Sequence, residues 1–261
     1  MSFDQLSAGI KVSGQGPAVI LLHSSLSSSR QWLLLVSLLK EHFTVINIDL
    51  LGYGQAPVVS DPKCYDFTVE LTRINDAIAK VIGAEQYHLV GHSCGGAIAL
   101  KLAVEQPYRL KSLALYEPVA FHLLPKNSKQ RLESDHFAQQ VLQEEPYKAA
   151  EIFTNFWNKE GFFNALPLKM QQLMAADMPK VNLDFKGLIA EKYTLADLGV
   201  ITCPSLLMKG DRSPSLSQDL TMNILHGLPD AKLQVFSAGH MAPVSHSEEV
   251  HPAIADFITQ V

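Results

Sequence analysis

The chain of 261 residues reads as an α/β fold, a mostly parallel sheet covered by helices on both faces. Three observations point there. Short continuous apolar runs, such as Ala18-Val19-Ile20-Leu21-Leu22, suit strands buried on both faces, and they alternate with longer stretches of helical periodicity. Clusters such as Gly14-Gln15-Gly16-Pro17 separate these elements. One apolar run, Leu89-Val90, stops at Gly91-His92-Ser93-Cys94-Gly95 and is followed by a helical stretch from Ala97 to Val104. That sequence needs small residues where the backbones of strand and helix approach, and Gly91, Gly95 and Gly96 supply them.

In chain order, residues 3–13 read as short edge strands and 18–23 as a buried strand. Ser27-Ser28-Ser29 suits the cap of a helix over 30–40 that contains Trp32. The next strand covers Thr44 to Leu50. An amphipathic helix from Tyr65 to Ile82 is capped by Asp66 or Thr68. After the strand and helix around Ser93, Leu110 to Tyr116 forms another strand ending at Glu117-Pro118. From Val119 to Ala196 the pattern holds helices without strands, at 128–144, 147–158 and 165–176, broken by Pro146, Gly161, Pro167 and Pro179. Residues 203–210 return to the sheet, a helix follows at 216–226, the last strand is 231–236, and a final helix runs from Ser247 to Thr259.

Composition bounds the function. A hydrophobic fraction of 47% supports a sizeable core, and the length allows one large domain with an inserted subdomain. The net charge of −5, with no basic cluster, argues against nucleic acid or an anionic membrane surface as partner. Met1 to Leu6 lacks the basic region and apolar run of a signal peptide, and no apolar stretch approaches the ~18 residues that span a bilayer. Cys64, Cys94 and Cys203 are isolated and odd in number, as expected of free thiols in a reducing compartment. The expectation is a cytoplasmic protein. The isolated cysteines do not suit a zinc site, no Gly-rich dinucleotide motif is present, and neither a metal nor an organic cofactor is expected.

The segment Gly91 to Gly95, with a strand before it and a helix after it, resembles the nucleophile elbow of the α/β-hydrolase family. The resemblance covers nearly the whole chain. Asp49-Leu50-Leu51-Gly52-Tyr53-Gly54-Gln55-Ala56 is similar to the family's D-x-x-G-x-G-x-S loop, with Ala56 in the last position. Ser237-Ala238-Gly239-His240 is close to its G-x-G-H segment. The helices of 119–196 stand where the family inserts its cap, leaving 1–118 and 197–261 as the core. There are two departures. The family's His-Gly after the second strand is His23-Ser24 here, and the G-x-x-D that usually supplies the acid reads Gly210 to Ser213.

A serine hydroxyl is a weak nucleophile without a base, so Ser93 requires a histidine and a carboxylate. The order Ser93, carboxylate, His240 matches the order expected on this fold, and His240 is preferred to His246 because it lies just past the last strand. Ser213 cannot hold a charge. The acid is therefore Glu117, favoured because some branches place it at this strand end, or alternatively Asp211. The turn places the N–H of Cys94 where an oxyanion would form, and the resemblance implies Ser25 as the second donor. Ser24, Phe121 and Trp157 are candidate substrate-binding residues. The expected activity is hydrolysis of a small acyl compound: an ester, thioester or lactone. A carbon–carbon bond hydrolase, a cofactor-free haloperoxidase and a triad-bearing small-molecule receptor are the alternatives. Oligomeric state is not readable.

Overall fold

The computed structural model describes residues 7–261. The expected edge strands at 3–13 therefore lie partly outside the described residues; within them a single strand, β1 (Ile10–Ser13), forms. It is followed by β2 (Ala18–Leu22), helix α1 (Leu33–Leu39), β3 (Thr44–Ile48), α2 (Phe67–Ile82), β4 (Tyr87–His92), α3 (Ser93–Glu105) and β5 (Leu110–Tyr116). Four helices come next: α4 (Lys129–Gln143), α5 (Pro146–Trp157), α6 (Phe162–Ala165) and α7 (Leu168–Ala190). The chain closes with β6 (Ser205–Gly210), α8 (Ser215–Gly227), β7 (Ala231–Phe236), α9 (Ala242–Ser245) and α10 (Ser247–Thr259).

The strands form one sheet in the order β1-β3-β2-β4-β5-β6-β7. β1 runs antiparallel to β3, and every other pair is parallel. The two-residue period of β2 divides the core. Ala18, Ile20 and Leu22 face the layer that holds α2, α3 and α8, whereas Val19 and Leu21 face α1 and α10. Both faces are thus covered, which explains the continuous apolar runs.

The sheet also decides where a site can form. The chain leaves β2 toward β3 on one side and leaves β4 toward β5 on the other, although β2 and β4 are neighbours. Loops leaving the carboxyl ends of such a pair diverge and open a crevice. Ser24 and Ser25 follow β2 at this point, and Ser93 follows β4.

Some elements differ from expectation. Trp32 belongs to a 3-10 turn (Ser29–Trp32) that precedes α1, with Ser28 accepting from the Arg30 N–H. Asp66, not Thr68, caps α2, accepting from the Thr68 N–H at 2.8 Å. The helix expected at 165–176 is longer and starts later, and α7 continues through Pro179 to Ala190. Proline costs a helix one internal hydrogen bond but does not end it where tertiary contacts hold both sides. Those contacts exist here: Gly187 allows α7 to lie so close to α2 that an added Cβ would stand 2.5 Å from the Phe67 ring. No helix among the described residues is long and apolar enough to cross a membrane.

Candidate active site

The turn after β4 is built by its small residues. A Cβ on Gly91 would stand 2.7 Å from the Gly95 carbonyl oxygen, and one on Gly95 would stand 2.3 Å from the carbonyl oxygen of His23. The second contact matters most, because it presses the start of α3 against the end of β2. Ser93 itself takes φ = +54°, the left-handed region that non-glycine residues avoid. Conformations of this kind cost on the order of 1–3 kcal/mol and are held by their surroundings. Ser93 opens α3, so the Cys94 N–H lies in the first turn of a 13-residue helix, where backbone donors lack helical partners.

His240 lies beyond β7. Its Nε2 is 2.9 Å from Ser93 Oγ, and its Nδ1 is 2.7 Å from Glu117 Oε2. The carboxylate beside Nδ1 favours the tautomer with the proton there, which leaves Nε2 free to accept from the serine. Glu117 is fully buried. It also takes φ = +40°, and it accepts from the Gly210 N–H at 2.8 Å and the Ser217 hydroxyl at 2.7 Å. Burial alone would raise its pKa. The hydrogen bond and charge of His240, with the Ser213 and Ser217 hydroxyls, outweigh burial and hold the carboxyl below its ordinary value. Ser213 acts there as a nearby dipole without a well-formed hydrogen bond.

Asp211, the alternative acid, is not brought to this site. Its side chain is half exposed and pairs with the Arg212 guanidinium at 3.7 Å. The physical reason is the backbone after β6: the Asp211 N–H is tied to the Phe236 carbonyl, which keeps the loop on the β7 side of the sheet. His246 is half-buried, away from Ser93, and contacts the Ser245 hydroxyl.

Two further histidines hold the loops. His23 accepts from the Leu50 N–H at Nε2 (2.9 Å), so its Nδ1–H donates to the Ser24 carbonyl at 2.7 Å. Burial lowers its pKa to about 4, keeping it neutral. His92 Nε2 lies 2.9 Å from the backbone carbonyl of His240. Burial pushes His92 well below the ordinary histidine value, so it is neutral and donates a single proton, to that carbonyl.

Ser24 is buried, and both its hydroxyl and its N–H donate to Gln31 Oε1. Ser25 donates its hydroxyl to Asp184 Oδ2 at 2.6 Å. Asp184 belongs to α7 and also accepts from the Tyr53 hydroxyl at 2.7 Å and from Lys180. Lys180 in turn contacts the Tyr65 hydroxyl at 3.0 Å and Glu70 at 3.3 Å. Sequence reading missed this buried cluster. The Lys180–Asp184 spacing of four residues was a signal, but such pairs usually lie on a solvated helix face.

Two cavities meet at Ser93. The larger, about 250 Å³, is bordered by Ser24, His240, Phe162, Met174 and Met241 among others. The smaller, about 20 Å³, is bordered by Cys94, Val119, Phe121, Phe185 and Asp184 among others. Trp157 walls both. Its ring stacks on the His240 imidazole, with centroids 4.0 Å apart and planes at 28°, and it lies parallel to Phe121.

Residues 19–253 match the model of the alpha/beta hydrolase family. The chain belongs to that family. Among curated proteins, this alpha/beta hydrolase is 32% identical over 116 residues to a fluoroacetate dehalogenase from a Burkholderia species, a match covering 43% of this chain and 38% of the relative. It is 35% identical over 111 residues to the dihydrolipoyllysine-residue acetyltransferase component of an acetoin-cleaving system from Cupriavidus necator, covering 41% of this chain and 28% of that protein. The chain therefore spans about a third of the length of these two relatives. Solved structures agree in fold over nearly the whole chain. A hydrolase from Pseudomonas aeruginosa superposes with a TM-score of 0.77 at 20% identity, covering 98% of this chain and 96% of that one. An esterase from Exiguobacterium antarcticum gives 0.75 at 21% identity, covering 96% and 94%.

The alpha/beta hydrolase fold thus collects Ser93, His240 and Glu117 in one hydrogen-bonded line, with Cys94, Ser24, Ser25, Phe121 and Trp157 around it. These residues come from the ends of β2, β4, β5 and β7 and from the helices between β5 and β6. Asp211 is outside the group.

Proposed function

We propose that this alpha/beta hydrolase is a serine hydrolase that cleaves a small acyl compound, a carboxylic ester, thioester or lactone, through an acyl-enzyme on Ser93. One observation carries the reading: the unbroken line from Ser93 Oγ to His240 Nε2 (2.9 Å) and from His240 Nδ1 to Glu117 Oε2 (2.7 Å). In this reading Ser93 Oγ attacks the acyl carbon while His240 takes its proton. Glu117 keeps the imidazole in the required tautomer and stabilises the imidazolium. The N–H groups of Cys94 and Ser25 receive the oxyanion, each such donor being worth ~3 kcal/mol of barrier. His240 returns the proton to the leaving group, and water then releases the acid with His240 again as base. Residues 119–196 act as the cap, and 1–118 with 197–261 as the core. A serine at the elbow counts against the dehalogenase chemistry named for the Burkholderia relative, since the dehalogenase branches of this fold use aspartate there.

The test is covalent labelling. A fluorophosphonate probe should add one phosphonyl group to Ser93, located by peptide mass spectrometry. Ser93→Ala and His240→Ala should not label, whereas His246→Ala should label as wild type. Labelling of another residue with Ser93 untouched would overturn the reading.

A further inference from the structure

We propose that the two cavities meeting at Ser93 divide the substrate by side: a short, uncharged acyl group in the small one and a larger apolar alcohol in the large one. The inference rests on the acyl-enzyme reading above and names the substrate class within it, esters of short acids with bulkier alcohols.

Proton transfer fixes which cavity serves which half. When the Ser93 Oγ–carbon bond forms, the serine proton passes to His240 Nε2. When the tetrahedral species collapses, the bond between the acyl carbon and the alcohol oxygen breaks. That oxygen leaves with the electron pair and takes the proton from Nε2. It must therefore lie on the His240 side. Among the described residues lining the two cavities, His240 borders only the larger and Cys94 only the smaller. The alcohol accordingly occupies the cavity of about 250 Å³, and the acyl substituent points past Cys94 into the cavity of about 20 Å³. Water then attacks the acyl carbon, the Oγ–carbon bond breaks, and Ser93 regains its proton as the acid departs.

Volume sets the lengths. A water-sized group needs about 10–15 Å³ by this measure, so the smaller cavity admits about one or two carbons beyond the carbonyl. Its walls include Val119, Phe121, Val181, Phe185 and Leu188, which favour apolar matter. Its one carboxylate, Asp184, already accepts from Ser25, Tyr53 and Lys180 and would repel an acyl group carrying a second carboxylate. The larger cavity, about 250 Å³, admits a longer chain, and Phe162, Met174, Met241 and Val244 give it an apolar lining.

The experiment is a two-way ester panel followed by acid release. One series keeps the alcohol as hexanol and lengthens the acid from acetate through butyrate to octanoate. The other keeps acetate and lengthens the alcohol from methanol to octanol. The specificity constant should fall at least tenfold along the first series and rise at least tenfold along the second. Val181→Ala and Leu188→Ala, made separately in case one fails to fold, should shift the acyl optimum to longer acids while leaving the alcohol series unchanged. Hexyl hydrogen succinate, which keeps a free carboxylate on its acyl group, should be a poorer substrate than hexyl butyrate, the uncharged ester of the same acyl length. Rising rates along the acyl series, or flat rates along both, would overturn the division even with Ser93 labelled by the fluorophosphonate. Failure of Ser93 to label would instead bring down the acyl-enzyme reading, and the division with it.

Discussion

The hydroxyl of Ser25 donates to the carboxylate of Asp184 across 2.6 Å, joining the loop after β2 to a helix 159 residues later in the chain. The contact orients the backbone whose N–H faces the reacting centre in the proposed mechanism. Ser25→Ala keeps that N–H and loses only its tether, so turnover should fall about tenfold with KM nearly unchanged, the mark of a lost transition-state contact. Asp184→Ala should be worse, because it also removes the acceptor of the buried Tyr53 hydroxyl and leaves Lys180 with Glu70 as its carboxylate partner; an unmet buried donor costs about 1–3 kcal/mol. Urea melts and steady-state kinetics on both variants separate the two effects.

Glu117→Gln should lose roughly 10²–10⁴ in turnover, because the amide can hold the wrong tautomer of His240 and cannot stabilise an imidazolium. Asp211→Asn should stay within about twofold of wild type, since its partner is a neighbouring exposed arginine and exposed pairs contribute about 0–1 kcal/mol. Circular dichroism on both proteins checks that the fold is intact. The reverse ranking would remove Glu117 from its proposed role.

Gly95→Ala should destabilise the protein by about 2–4 kcal/mol, because its Cβ would stand 2.3 Å from the His23 carbonyl oxygen and force the start of α3 away from β2. Gly199→Ala is the control: a Cβ there meets nothing within 4 Å, and stability should be unchanged or slightly higher. Chemical denaturation midpoints give the comparison.

Acid should weaken the fold in two windows. Burial lowers the pKa of His88 and of His251 to about 4, so both stay neutral in the folded chain while the unfolded chain takes up protons below its ordinary value near 6.5. Their contribution is complete above that value and is lost progressively as pH falls toward 4. Glu117, held below its ordinary value, adds stability above the usual carboxylate range and loses it as pH falls through its lowered pKa. Melting temperature against pH should therefore decline from about pH 6.5 downward. His88→Gln should flatten part of the decline between about pH 6.5 and 4 and leave the lower window in place.

Much of this architecture is legible in sequence because buried parallel strands have few alternatives. Ala18 to Leu22 and Leu113 to Tyr116 carry their own signal in uninterrupted apolar runs. The turn at Ser93 is legible for a related reason, since only glycine tolerates the backbone approaches at Gly91 and Gly95. What stays hidden depends on long-range contact. Pro179 suggests a break because its missing N–H is a local property, whereas α7 is held from outside by Tyr65, Phe67 and Glu70 of a distant segment. Asp184 looks like one half of a surface pair until the fold buries it. The choice between Glu117 and Asp211 could be framed from Ser213 alone, but where each carboxylate points depends on how β5 pairs with β6 and on the Asp211–Phe236 backbone bond.

The proline inside α7 has a mechanical consequence. On its carboxyl side, Lys180, Asp184 and Gly187 are fastened to α2 and to the loops after β2 and β3 by buried charges and close backbone contact. On its amino side, Leu168, Met170 and Leu173 face solvent, and Met174 borders the larger cavity. Pro179 stands at the junction, where one rung of the helix ladder is missing. The helix is thus held by buried charges on the carboxyl side of residue 179 and by packing of Gln171, Ala175 and Met178 on the amino side. An opening that bent α7 would bend it at Pro179, carrying the 168–178 arm together with α5, on which it packs, while the carboxyl-side arm keeps Ser25 in place. Amide exchange should register the division as slow exchange over 180–188 and faster exchange over 168–178.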